Sequence, residues 1–164
     1  MATTEREQKL ESEVRELARQ VEQLRLREAI RDLRHSYWYA ILDKDVEALV
    51  ACFTEDAELD YGFDILLQGR AAIREFFRQL LGNPDLLRQI PSGSNGLIRA
   101  TGPGSAEGRW LVEVSSMSQG EAPARRLRVQ YFEEYRQEEG GWKIARMKNG
   151  YLFFEKPPLE TEMN

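Results

Sequence analysis

The sequence predicts an α+β layer fold built as one domain with an appendage. Three observations carry this. Helical periodicity dominates up to about residue 82, strand-like alternation dominates after it, and the 164 residues suit a single domain. Apolar residues make up 41% and charged residues 31%, enough for a packed core and too apolar for a disordered chain.

Residues 5–42 contain no Gly or Pro and read as one helix. Leu10, Val14, Leu17, Val21 and Leu24 recur at spacings of 4, 3, 4 and 3. That is a short heptad seam with β-branched residues at a and leucines at d, the choice that suits two parallel strands. The flanking residues Glu11, Glu13, Ala18, Gln20 and Arg25 show no clear opposite-charge pairing, so the orientation stays open. A seam this short is marginal alone, so it is expected to pack on its own domain or on a second copy.

The apolar phase then changes. Ile30, Leu33, Tyr37 and Ile41 form a second stripe, with Trp38, Tyr39 and Leu42 beside it, so this half of the helix should be buried on more than one side. Asp43-Lys44-Asp45 ends it, and Asp45 can cap a short helix running through Val46, Leu49, Val50 and Phe53. Residues 57–61 alternate as a short strand closed by Gly62. A further amphipathic helix begins after Gln68-Gly69-Arg70, carries Ile73, Phe76, Phe77, Leu80 and Leu81, and ends at Gly82-Asn83-Pro84. Residues 91–96 read as a loop, 97–100 as a short strand and 101–105 as a turn. Strands follow over 107–117, 126–137 and 142–154, separated by a hairpin loop at 118–124 and a tight turn at 138–141, with a fraying tail at 157–164. The strands hold too many aromatics to leave both faces in water. Helices should therefore cover one face of a curved sheet, and such a cone leaves a pocket at its open end.

Composition narrows the function. Lys and Arg total 23 against 28 Asp and Glu, a net charge of −5 that argues against a nucleic-acid module. One cysteine, Cys52, excludes a disulfide framework, and one histidine, His35, makes a zinc site improbable. No run is long and apolar enough to span a membrane, and MATTEREQKLESE lacks the apolar core of a secretory signal, so a soluble cytoplasmic protein is expected. No nucleophile elbow or phosphate loop is present, and Cys52 lies on an apolar helix face where a thiol is usually inert.

The string from Tyr37 through Asp45, Leu49 and Phe53-Thr54 to Asp56-Ala57 resembles the opening of the SnoaL-like branch of the nuclear-transport-factor-2-like (NTF2-like) superfamily. Gln68-Gly69-Arg70 with Ala72-Ile73 matches the same pattern, as do Tyr131, Tyr135 and the run Gly141-Trp142-Lys143-Ile144-Ala145. Within that branch, Leu59-Asp60-Tyr61 and Gly82-Asn83-Pro84 with Leu86 look like segments of scytalone dehydratases. The resemblance covers roughly residues 28–156. It implies an NTF2-like cone, with a curved, mixed or antiparallel sheet under N-terminal helices, preceded by a helical extension over residues 1–27.

The resemblance also implies chemistry without metal or cofactor: a small dehydratase-, isomerase- or cyclase-like enzyme that abstracts a proton from a hydrophobic polycyclic or polyketide-like molecule. The alternative is a non-catalytic binding or assembly domain with a degraded site. The partners expected are a small hydrophobic molecule and further copies of the chain, as a homodimer or larger homo-oligomer, with no nucleic acid or membrane. Tyr37 and Tyr61 match pocket phenols able to hold an oxyanion, and Asp43 or His35 are the candidates to move the proton. Phe63, Asn95, Trp110 and Tyr131 match positions that line or rim the cone. The dehydratase pattern is not complete, because residues 87–91 hold no histidine, Trp110 stands where a second would be, and Leu42 occupies the position of an aspartate.

Overall fold

The computed structural model describes residues 2–119 and 125–155. The tail expected at 157–164 and most of the expected loop at 118–124 lie outside the described residues. Helix α1 runs unbroken over Ala2–Leu42, and its two halves differ sharply. Residues 4–25 are exposed on every side, whereas Ile30, Arg34, Tyr37, Trp38 and Ile41 are buried against the sheet. The helix therefore projects from the domain, and its heptad seam does not pack on its own protomer.

After the turn at Asp43 and Lys44, the Ala48 N–H donates to Asp45 Oδ1 at 3.0 Å, capping α2 (Val46–Val50). Phe53 does not continue this helix; it opens β1 (Phe53–Gly62), which is longer than the alternation over 57–61 predicts. Strand β2 (Ile65–Gln68) was not expected. It pairs with β1 through a two-residue loop, Phe63-Asp64, in which both residues have positive φ (53° and 63°). Asn-Gly usually occupies such a loop, so Phe-Asp gives no sequence signal for it. Helix α3 (Gly69–Leu81) matches its apolar pattern, burying Ile73, Phe77 and Leu81.

Four long strands follow: β3 (Leu86–Gly102), β4 (Ser105–Ser118), β5 (Arg125–Glu138) and β6 (Gly141–Glu155). The residues read as a loop at 91–96 lie inside β3. Their glycines serve packing: a Cβ at Gly93 would overlap the Trp38 ring, and one at Gly96 the Trp110 ring. Asn95 (φ 52°) marks an irregularity between Ser94 and Leu97 that re-registers the strand against β4. The six strands form one mixed sheet in the order β2-β1-β6-β5-β4-β3, with only the β1–β6 pair parallel. The sheet curves without closing, and α1 and α3 cover its inner face.

Candidate active site

The inner face is set by alternation. On β5 the buried positions are Val129, Tyr131, Glu133 and Tyr135, while Arg128, Phe132, Glu134 and Arg136 face outward. On α1 the buried stripe is Ile30, Arg34, Tyr37 and Ile41, at helical spacing. Each element thus delivers one charged residue to the interior. Arg34 Nη1 lies 3.0 Å from Glu133 Oε1, and both side chains are fully buried.

Aromatic rings box in this pair. The Arg34 guanidinium carbon sits 4.4 Å from the Tyr37 ring centre, 4.8 Å from Trp38 and 5.1 Å from Tyr131, within cation–π range. The Tyr135 hydroxyl donates to Glu133 Oε2 and accepts from Trp110 Nε1 at 2.8 Å. Trp110 meets Trp38 edge-on, their centroids 5.5 Å apart. Tyr37 and Tyr61 both pack against Phe77, at 6.3 and 6.1 Å. Asn149, also buried, lies on the neighbouring strand directly opposite Tyr131.

The electrostatics follow from this burial. Removal from water raises the Glu133 pKa above its ordinary value, outweighing the attraction of Arg34 and the Tyr135 hydrogen bond, both of which lower it. Burial opposes the Arg34 charge, but the Glu133 carboxylate keeps the guanidinium protonated, with its pKa raised. Burial also pushes the Tyr37 and Tyr61 phenols well above their usual value, so both are O–H donors across the physiological range. Arg34 Nε and Nη2, Trp38 Nε1 and Asn149 Oδ1 are buried polar atoms without a hydrogen-bond partner among the described residues. Atoms of this kind normally find partners, a protein group or an ordered water. Open grooves on the described residues lie elsewhere, one of them on the outer face between Leu97, Arg109, Phe132 and Arg146.

The expected site residues divide into two sets. Tyr37, Tyr61, Trp110 and Tyr131 gather on the inner face around Arg34 and Phe77. Tyr61 points inward, and Asp60 points outward to Lys148 at 3.8 Å, as strand alternation requires. The other four stand apart. His35 is exposed beside Trp38, Asp43 is exposed in the turn after α1, Asn95 is exposed at the β3 irregularity, and Phe63 is 65% exposed against Tyr151. Arg34 and Glu133 were not among the expected residues. Their signal was a charge at an apolar-face position in each element's own period. Among the described residues, no group of three or more His, Cys, Asp or Glu is placed to hold a metal ion, and no helix is long and apolar enough to cross a membrane.

A curved, unclosed mixed sheet of six strands covered by an N-terminal helix places the molecule in the class of NTF2-like cones. The chain belongs to the SnoaL-like domain family, whose model matches residues 22–148. Among solved structures it is similar to a proposed scytalone dehydratase of Novosphingobium aromaticivorans DSM 12444, with 24% identity and TM-score 0.77 over 84% of this chain and 91% of that one. An NTF2-like protein with a cystatin-like fold, from Novosphingobium aromaticivorans, shares 25% identity, with TM-score 0.69 over 83% and 88%. The hexachlorocyclohexane dehydrochlorinase LinA-type3 of Novosphingobium barchaimii LL02 shares the fold at 18% identity, with TM-score 0.73 over 83% and 92%. No curated protein sequence matches the chain.

Proposed function

We propose that the protein is a small lyase or isomerase that removes a proton beside the carbonyl of a hydrophobic polycyclic or polyketide-like molecule. One observation carries this reading: a carboxylate of raised pKa, Glu133, is held between a buried guanidinium and a tyrosine hydroxyl inside an aromatic-walled interior. A cone that only sequesters apolar ligands has no need of a buried titratable pair. The likeness to a proposed dehydratase and to a dehydrochlorinase supports the same class of chemistry.

In this reading Glu133 replaces Asp43 and His35 as the proton carrier, since both of those face solvent. The proton passes from the carbon to the Glu133 carboxylate, and the C–H electron pair moves onto the carbonyl oxygen. The free N–H groups of Arg34 and the hydroxyls of Tyr37 and Tyr61 meet the resulting oxyanion. Expulsion of a β-hydroxyl, protonated by the acid form of Glu133, completes a dehydration; return of the proton to another carbon completes an isomerisation. A second reading is a binding domain in which Arg34 and Glu133 serve only structure, and the Tyr135 and Arg34 contacts that already engage Glu133 favour it.

Solvent deuterium exchange at the α-carbons of 1-tetralone and hydroxylated naphthalenones, followed by NMR in EDTA, separates the two. The enzyme reading expects accelerated exchange, a Tyr61→Phe loss of about a hundredfold with little change in unfolding midpoint, and an acid limb above pH 4.5, the ordinary Glu value. Ketone binding that quenches tryptophan fluorescence without any exchange establishes the binding domain instead.

A further inference from the structure

The exposed seam on the first half of α1 has no counterpart on its own domain. Leu10, Val14, Leu17, Val21 and Leu24 are between 44% and 62% exposed, a continuous apolar stripe on a helix that already stands in water. We propose that this stripe pairs with the same stripe of a second copy, and that the two helices run antiparallel.

The orientation comes from charge. In a parallel pair, equal positions face each other, so Glu7 meets Glu7 and Glu28 meets Glu28 at the two ends of the seam. Arg6 with Glu11 and Arg27 with Asp32 then form the attractive flanking pairs, while Glu13 meets Ala18 and Gln20 meets Arg25. Antiparallel packing sets a positions against d positions. Val14 then meets Leu24, and Leu17 meets Val21, each twice about the two-fold axis. In that register Glu11 faces Arg25, Glu13 faces Arg27 and Glu7 faces Arg31 of the other copy, and Gln20 faces Gln20. Three kinds of opposite-charge pair, each made twice, thus flank the antiparallel seam, more than the two kinds the parallel pair offers.

The observed pairs leave room for this arrangement. Glu11 and Glu13 have only their loose intrahelical partners, Arg15 at 3.7 Å and Lys9 at 4.0 Å, all well exposed. Arg25 and Arg27 make no ion pair among the described residues. Arg31 is exposed and paired with Glu28 at 3.4 Å. The helix is also preorganised. An isolated seam of this length is marginal because a free helix must be nucleated, but here residues 26–42 are already fixed on the sheet and the first half only extends them.

Sedimentation of the full chain, with spin labels on Gln8→Cys, tests both the pairing and its direction; Cys52 is buried and stays unlabelled. Antiparallel pairing sets residue 8 opposite residue 30 and separates the labels by about 33 Å along the axis, whereas parallel pairing brings them within about 20 Å. The expected result is a dimer with the longer separation. Leu17→Glu should dissociate it without altering the domain, since Leu17 is 60% exposed and takes no part in the core cluster. Glu11→Arg and Arg25→Glu should each weaken it and together restore it. A monomer at micromolar concentration, the shorter label distance, a dimer that survives Leu17→Glu, or a double variant as weak as Glu11→Arg alone overturns the proposal.

Discussion

Arg34 and Glu133 occupy positions that helical and strand periods reserve for apolar side chains, and the two charges are not equivalent. A guanidinium cannot shed its proton, whereas a carboxylic acid can be neutral in a dry site. Removing Glu133 therefore strands a charge: Glu133→Gln should lower stability by about 3–5 kcal/mol. Removing Arg34 leaves a group that can protonate, so Arg34→Met should be milder in acid. The direction with pH follows from the raised pKa of Glu133. The folded state binds this proton more tightly than the unfolded chain, so the stability it provides is complete below the unfolded value near 4.5 and is lost as pH rises through the folded value. Without Arg34 that folded value rises further, and the gap between wild type and Arg34→Met should widen from pH 4 to pH 8. Urea midpoints across that range would show it. A gap that stays constant would mean that Glu133 is already neutral, or that its charge does not depend on Arg34.

Elements were legible where period and capping agreed, and illegible where packing overrode local chemistry. The end of α1, the Asp45 cap and α3 follow from spacing alone, and β4 covers the strand expected over 107–117, with every second residue from Trp110 to Val114 buried. Strand β3 does not follow, because Pro91, Gly93, Asn95 and Gly96 imitate a loop. The glycines are there because the benzo edges of two indole rings reach the strand backbone, a tertiary demand that one strand's sequence cannot announce. Site residues were lost for a related reason. Tyr37 and Tyr61 are apolar enough to be read onto an inward face from the sequence, but a charge such as Arg34 or Glu133 on such a face reads as a surface residue until its partner on another element is known. The β3 argument yields a double-mutant test. Gly93→Ala should destabilise by about 1–3 kcal/mol through overlap with Trp38, and most of that should vanish in a Trp38→Leu background. Equal losses in both backgrounds, measured by chemical denaturation, would show that the glycine is needed for backbone freedom and not for the ring.

At the scale of the molecule, three surfaces are built for different environments. The inner face of the sheet is dry and aromatic. The outer face is a lattice of exposed ion pairs, Arg99 with Glu107, Arg128 with Glu113, Arg146 with Glu58 and Glu134, and Lys148 with Asp60. Each such pair contributes about 0–1 kcal/mol, so the lattice adds little to stability, and Leu97 and Phe132 lie exposed among the pairs. The projecting half of α1 is neither dry nor evenly polar, and its side chains add nothing to the core cluster, which begins at Leu26. The family match begins at residue 22, inside the same helix, so most of the exposed seam lies outside it. Under the pairing proposed above, the extension serves assembly and the remainder carries the fold and its interior. Deleting residues 2–21 should then leave a folded domain whose unfolding midpoint no longer depends on protein concentration, with helical circular dichroism lower by only the removed turns. Loss of the cooperative transition in the shortened chain would place part of the domain's stability in the extension and would undo the boundary drawn here.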